Sequence, residues 1–147
     1  MSLAIGIISD THNRLHPRVG ELFKSVDEIW HLGDVCEQTL LDELNLICPR
    51  LTTVQGNNDH YLEVPLTIRM EREGESFYLI HIPPAQTPVT EGWLLYGHTH
   101  VPCDELKGGV RWFNPGSAGL ANKGAPLSLG FLIKKGNKPF QAKVVRL

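Results

Sequence analysis

Three short apolar runs near the start of the chain each end in a polar loop carrying Asp or Asn, and this pattern narrows the fold more than any other feature. The first run, Leu3 to Ile8, contains a single glycine and ends at Ser9-Asp10-Thr11-His12-Asn13. It has the texture of a strand buried on both faces. The second spans Asp27 to Leu32 and ends at Gly33-Asp34. The third spans Leu51 to Gln55 and ends at Gly56-Asn57-Asn58-Asp59. Helical patterns separate them. Pro17 to Val26 predicts a short helix, with Pro17 in its first turn and Val19, Leu22, Phe23 and Val26 at helical spacing. Glu37 to Ile47 predicts a second, with Leu40, Leu41, Leu44 and Ile47 on one face and Pro49 beyond its end. Strand, loop and helix in this order predict a parallel sheet. In such a sheet the carboxyl ends lie side by side, so Asp10, His12, Asp34 and Asn57 converge.

The second half reads mostly as β. Val64 to Arg72 alternates, with Val64, Leu66, Ile68 and Met70 on one face. Glu73-Gly74-Glu75 is a turn, and Ser76 to Ile82 is a strand stopped by Pro83 and Pro84. Cys103–Leu106 and Val110–Phe113 flank Lys107-Gly108-Gly109, a hairpin signal. Leu127–Lys134 and Phe140–Val145 flank a second. At 147 residues, with 41% hydrophobic and 20% charged residues, the chain is expected to form one α/β domain over residues 1–147, built around two packed sheets.

The formal net charge of −2 gives no electrostatic reason to expect nucleic acid or an anionic membrane as a partner. No stretch reaches transmembrane length and no signal-like apolar block opens the chain, so the expected location is the cytoplasm. Cys36, Cys48 and Cys103 form no CxxC pair and are expected to be buried free thiols.

Tyr96-Gly97-His98-Thr99-His100 follows the apolar run Trp93-Leu94-Leu95. Two imidazoles two residues apart share one face if the strand continues, or one loop if it stops at Gly97. Either way they offer two neutral nitrogen donors to one small volume. His31 reads as a packed strand residue, and Arg14, His16 and Arg18 as exposed bases able to reach a phosphate.

In order, Asp10-Thr11-His12, Gly33-Asp34, Gly56-Asn57-Asn58-Asp59, His81 and Gly97-His98-Thr99-His100 resemble the calcineurin-like metallophosphoesterase superfamily. With Asn114-Pro115-Gly116-Ser117, they look most like its small prokaryotic, YfcE-type phosphodiesterase branch. The resemblance implies a two-sheet β-sandwich core flanked by helices, in four layers (αββα). It implies two divalent transition-metal ions, with Asp10, His12 and His100 on the first, Asn57, His81 and His98 on the second, and Asp34 bridging. Mixed carboxylate and imidazole donors suit Mn, the leading expectation, or Fe, Ni, Co or Zn. A bridged pair about 3.5–4 Å apart clamps the attacking and leaving oxygens of a phosphoryl transfer. The resemblance implies as nucleophile a deprotonated water shared by both ions; no protein nucleophile is suggested, and Ser9 and Ser117 have no evident triad partners. Asn58 and Asp59 complete the implied catalytic set.

Two departures stand out. The position often held by a proton-donating His is Asn58, an amide that cannot act as a general acid at neutral pH. This favours phosphodiesters or activated esters over phosphomonoesters; His60 is a neighbouring substitute, read as an exposed loop residue. After His81, Ile82-Pro83-Pro84 and a short loop stand where the family has Gly-His and a helix, an absence that opens one wall of the site or leaves it for another subunit to complete. The expected partner is a small phosphate ester, with no membrane, no nucleic acid, and a homo-oligomer left open. The competing readings are a phosphomonoesterase or nucleotidase and a non-catalytic protein-binding scaffold of the same fold.

Overall fold

The computed structural model describes residues 2–121 and 124–147. Strand β1 (Ser2–Ile8) pairs in parallel with β2 (Glu28–His31), which pairs in parallel with β3 (Leu51–Thr53). Helices α1 (Pro17–Leu22) and α2 (Gln38–Ile47) lie between these strands in the chain. The second half adds β4 (Thr67–Arg72), β5 (Glu75–Ile80), β6 (Gly92–Leu95), β7 (Cys103–Lys107) and β8 (Val110–Asn114). The chain closes with β9 (Ser128–Lys135) and β10 (Gln141–Arg146).

Two five-stranded sheets result, in the orders β10-β9-β1-β2-β3 and β4-β5-β6-β8-β7. The last hairpin crosses back to the first sheet, where β9 runs antiparallel to β1. In the second sheet β5, β6 and β8 are mutually parallel. Ile5, Ile7, Trp30 and Leu32 of the first sheet meet Phe77, Leu79, Trp93, Leu95 and Phe113 of the second in a core between the sheets. Alternate strand residues point the other way. Ile8, Ile29 and Leu129 therefore pack outward against Val19 of α1 and Leu40, Leu41 and Leu44 of α2.

Both helices cover the outer face of the first sheet. Among the described residues no helix covers the second sheet, whose outer face buries Leu94, Tyr96, Val110 and Trp112 with Val89 from the preceding loop. The two-sheet core flanked by helices is present, but in three layers rather than four. The short stretch between His81 and β6 leaves no room for that helical layer, because a helix begun at Pro83 or Pro84 would meet Pro88 in its interior.

Helix α1 is also shorter than its periodicity predicts. The chain leaves it at Phe23 (φ −98°, ψ 6°), whose N–H still donates to the Val19 carbonyl at 2.9 Å. Two tertiary demands end it there. The Phe23 ring lies against Gly6, where any Cβ would collide with it. Asp27 must then reach β1, donating from its N–H to the Ala4 carbonyl and accepting from the Ala4 N–H, each at 2.8 Å. The three cysteines are free, but only Cys48 is fully buried; Cys36 and Cys103 are half-buried, on a loop and at the start of edge strand β7.

Candidate metal centre

The carboxyl ends of β1, β2 and β3 open at the same edge as those of β5, β6 and β8. Their loops meet at the seam between the sheets. Five of the seven predicted ligands adopt left-handed backbone there: Asp10 (φ 55°), His12 (46°), Asp34 (59°), His98 (70°) and His100 (63°). Each such residue costs about 1–3 kcal/mol of strain and persists only where its surroundings impose it. Strand β6 ends at Leu95, so both histidines of the Gly-His-Thr-His stretch sit on the loop beyond it.

Asp10 is fully buried and its two oxygens have different tasks. Oδ2 accepts from the Ser9 hydroxyl at 2.7 Å and the His98 N–H at 3.1 Å. Oδ1 receives no hydrogen bond and faces His100 Nε2 at 3.2 Å, His81 Nε2 at 3.8 Å and His12 Nε2 at 3.9 Å. Gly97 makes this approach possible, since a Cβ there would overlap Ser9 Oγ and crowd Asp10 Oδ2. Asp34 Oδ2 stands 3.5 Å from His12 Nε2 and 3.4 Å from His81 Nε2. Burial opposes ionisation of Asp34, but the His81 ring beside it and hydrogen bonds from Asn58 outweigh it and hold the carboxyl well below the usual range.

His81 Nδ1 faces the Leu32 carbonyl at 2.7 Å, which seats a proton on that nitrogen and turns Nε2 toward the carboxylates. Burial pulls the His81 pKa down, yet the Asp34 and Asp10 carboxylates carry it upward. Asp10, His12 and His100 form one group of ligand atoms lying within 4.8 Å of one another; Asp10, Asp34 and His81 form a second. Asp10 is thus common to both groups, where the resemblance implied Asp34 as the shared carboxylate. His98 and Asn57 stand at the exposed rim, with His98 Nδ1 and Asn57 Oδ1 3.2 Å apart and the His98 ring edge-on to His81.

Among the described residues, five buried side-chain nitrogen or oxygen atoms lack a hydrogen-bond partner. Four belong to this cluster: Asp10 Oδ1, His12 Nε2, His81 Nε2 and His100 Nδ1. An unpartnered buried polar atom costs about 1–3 kcal/mol. Carboxylate oxygens and imidazole nitrogens gathered in this way fit borderline divalent cations.

Asn58 and Asp59 address the site through Asp34. The Asn58 backbone N–H donates to Asp34 Oδ1 and its amide to Oδ2, both at 2.9 Å. Asp59 is fully buried and accepts from the N–H groups of Asp34 (2.9 Å), Gly56 (2.7 Å) and Cys36 (2.7 Å). Asn58 thus reaches the Asp34 oxygen that faces His12 and His81, while Asp59 holds the backbone on which Asp34 sits.

Sequence reasoning missed a set of braces. His31 is fully buried; its Nδ1 accepts from the Gly33 N–H, and its Nε2 lies 3.0 Å from Thr11 Oγ1. Burial, aided by charge on His81, lowers its pKa to about 3. It stays neutral and ties the first polar loop to the second. Asn114 donates to the Gly97 carbonyl and to Thr99 Oγ1, steadying the histidine loop. The Ser117 hydroxyl donates to the Asp10 carbonyl at 3.0 Å. The signal available in sequence was the Asn114-Pro115-Gly116-Ser117 block, but it does not reveal which loops it holds. Two of the three bases read as able to reach a phosphate are engaged elsewhere. His16 caps α1 through the Arg18 N–H, and the Arg18 side chain donates to the Arg146 carbonyl. Arg14 and His60 are exposed.

The fold and this cluster define a phosphoester hydrolase of the two-sheet type. The sequence matches the calcineurin-like phosphoesterase superfamily domain over residues 3–135, and the chain belongs to that superfamily. It is 30% identical to phosphodiesterase YfcE of Escherichia coli strain K12, over 84% of each chain. The solved structure of YfcE from E. coli, described as a phosphoesterase, covers 88% of each chain at 28% identity with a TM-score of 0.78. Vacuolar protein sorting 29 from Cryptosporidium parvum shares the fold, with a TM-score of 0.79 at 18% identity over 99% of this chain and 98% of that one.

Proposed function

We propose that the protein is a metal-dependent phosphodiesterase acting on a small phosphate ester at a dinuclear centre. Asp10, His12 and His100 would hold one cation, and Asn57, His81 and His98 the other, with Asp34 between them. The observation that carries this reading is the set of three buried, unpartnered ligand atoms facing one another at the seam, Asp10 Oδ1, His12 Nε2 and His81 Nε2, with His100 Nε2 3.2 Å from the same Asp10 oxygen. Mixed oxygen and nitrogen donors suit Mn, Fe, Ni, Co or Zn, with Mn the ion expected first. Bound cations supply positive charge to phosphate oxygens and bring the pKa of a water toward neutrality.

The chain's own residues prepare this chemistry. Ser9 and the His98 N–H orient Asp10, Asn58 grips both oxygens of Asp34, and Leu32 locks the His81 ring. Because the Asn58 amide is spent on Asp34 and carries no acidic proton, leaving groups receive no general-acid help from it. That help is typically worth about 10²–10⁴-fold. Diesters and activated esters are the substrates that manage without it.

Residues 1–147 act as one domain in this reading, because the last hairpin completes the sheet that the first strand begins. A cytoplasmic location accords with the described residues, in which no helix is long and apolar enough to cross a membrane. The test is hydrolysis of bis-aryl and mono-aryl phosphate esters by metal-stripped protein after Mn, Ni or Zn is added back. Diester turnover exceeding monoester turnover is expected. No hydrolysis of either ester with any metal refutes the enzyme and leaves the scaffold reading; faster monoester turnover refutes the Asn58 argument.

A further inference from the structure

We infer that the phosphate site continues into an apolar pocket, and that its substrate is a diester with one uncharged, aryl-sized arm held against Leu66, Ile80 and Ile82. The inference rests on the phosphodiesterase reading above and names its substrate class. The first clue is a failure of alternation. Val64, Leu66, Ile68 and Met70 share one face by sequence, and Ile68 and Met70 do pack on the core between the sheets. Leu66 does not: it precedes β4 and is 63% exposed. Ile82 is 47% exposed, in the stretch where Pro83 and Pro84 displace the expected helix.

These two side chains, with half-buried Ile80, wall a cavity of about 380 Å³. Scattered exposed hydrophobics need no explanation, but apolar side chains gathered in one concavity do. The polar wall includes Asn57 and His81, which also belong to the proposed metal centre, with Gln55, Asp59 and His60. A phosphorus held at the centre therefore has a substituent within reach of the pocket.

Chemistry narrows the occupant. No Lys or Arg lines the cavity, so a second phosphate or a carboxylate would find no counter-charge there. The part of the cavity walled by Leu66, Ile80 and Ile82 offers sugar hydroxyls no side-chain hydrogen-bond partner, so an apolar ring fits it at less cost. An apolar cavity of about 150 Å³ already accepts benzene, so this one accommodates a single aryl ring with space to spare.

The experiment compares equilibrium binding of diphenyl phosphate and dimethyl phosphate to the Mn-loaded protein by calorimetry. It uses the wild type and the double variant Leu66→Ser/Ile82→Ser, both sites being exposed enough to leave folding intact, as a melting curve verifies. A wild-type preference for diphenyl phosphate of about tenfold to a hundredfold is expected, falling to about twofold in the variant. Equal wild-type affinities, or a preference that survives the double substitution, overturn the pocket. Turnover of bis(4-nitrophenyl) phosphate is measured alongside. Wild-type protein that turns the diester over but shows no aryl preference sinks the pocket alone, whereas a wild-type preference without turnover sinks the parent reading and upholds the pocket.

Discussion

Asp59→Ala is the sharpest test of how the centre is held together. The carboxylate is fully buried and accepts three backbone N–H groups, from Asp34, Gly56 and Cys36. Hydrogen bonds to a charged group contribute about 1.5–3 kcal/mol each, and stranded buried donors lose that outright. Cys36 is half-buried, so water can replace one of the three. A loss of about 4 kcal/mol results, the two fully buried donors dominating. For a chain of this size each kcal/mol is worth about 2–4 °C, so melting should fall by about 10 °C. Asp59→Asn should lie between. Its amide oxygen can still serve Asp34 and Gly56, but its NH₂ opposes the Cys36 N–H, a loss of about 2 kcal/mol. Both variants are measured in metal-free buffer by thermal and urea unfolding, so that altered ion binding does not enter. A melting temperature for Asp59→Ala within about 2 °C of wild type would show that Asp59 is not the brace described.

Asn58→Ala removes one donor to Asp34 while the backbone donor stays, so metal affinity should drop by about 10–100-fold with little change in unfolding. An unchanged affinity by metal titration refutes that role. His31 makes stability depend on pH. Its pKa is about 3 in the fold against an ordinary 6.5, so only the unfolded chain binds this proton between those values. The contribution is complete above pH 6.5 and is lost as pH falls toward 3, at about 1.4 kcal/mol per pH unit. His31→Gln should flatten the stability slope between pH 4.5 and 6 by that amount, and an unaltered slope in urea unfolding contradicts the assignment. His100→Ala and His98→Ala should each remove a different ion, counted by elemental analysis after metal loading. Loss of the same ion in both variants disproves the division of ligands. His81→Ala should empty one site only, and full occupancy of both would strike His81 from the ligand set.

Much of this architecture is legible in the sequence because it is local. A run such as Leu3 to Ile8 is buried wherever it sits, and an acid placed just beyond it lands at a strand end. Asp10, His12, Asp34 and His100 were readable in that way, by residue type and spacing. What was not readable depends on distant segments. The end of α1 is set by Gly6 accepting the Phe23 ring and by Asp27 meeting Ala4. The return of β9 to the side of β1 has no local signature. His31 looked like a packed strand residue and is one, yet its two nitrogens also join loops that only the folded sheet brings together. The sharing of Asp10 between two ligand groups, and the departure of Leu66 from its alternating face, belong to the same category.

The seam has a kinetic consequence. Asp10 and the His98 N–H that orients it are 88 residues apart along the chain. Half of the centre rides on one sheet and half on the other, so its atoms meet only after the two sheets have docked. Contacts of such long range form late, because the loop they close costs entropy before it returns any energy. An ion has nothing to grip in the early ensemble and cannot seed the structure. A cation held by residues of both sheets would then act on the unfolding arm of the chevron and not the refolding arm. It would work as a latch, lengthening the lifetime of the folded chain without hastening its formation.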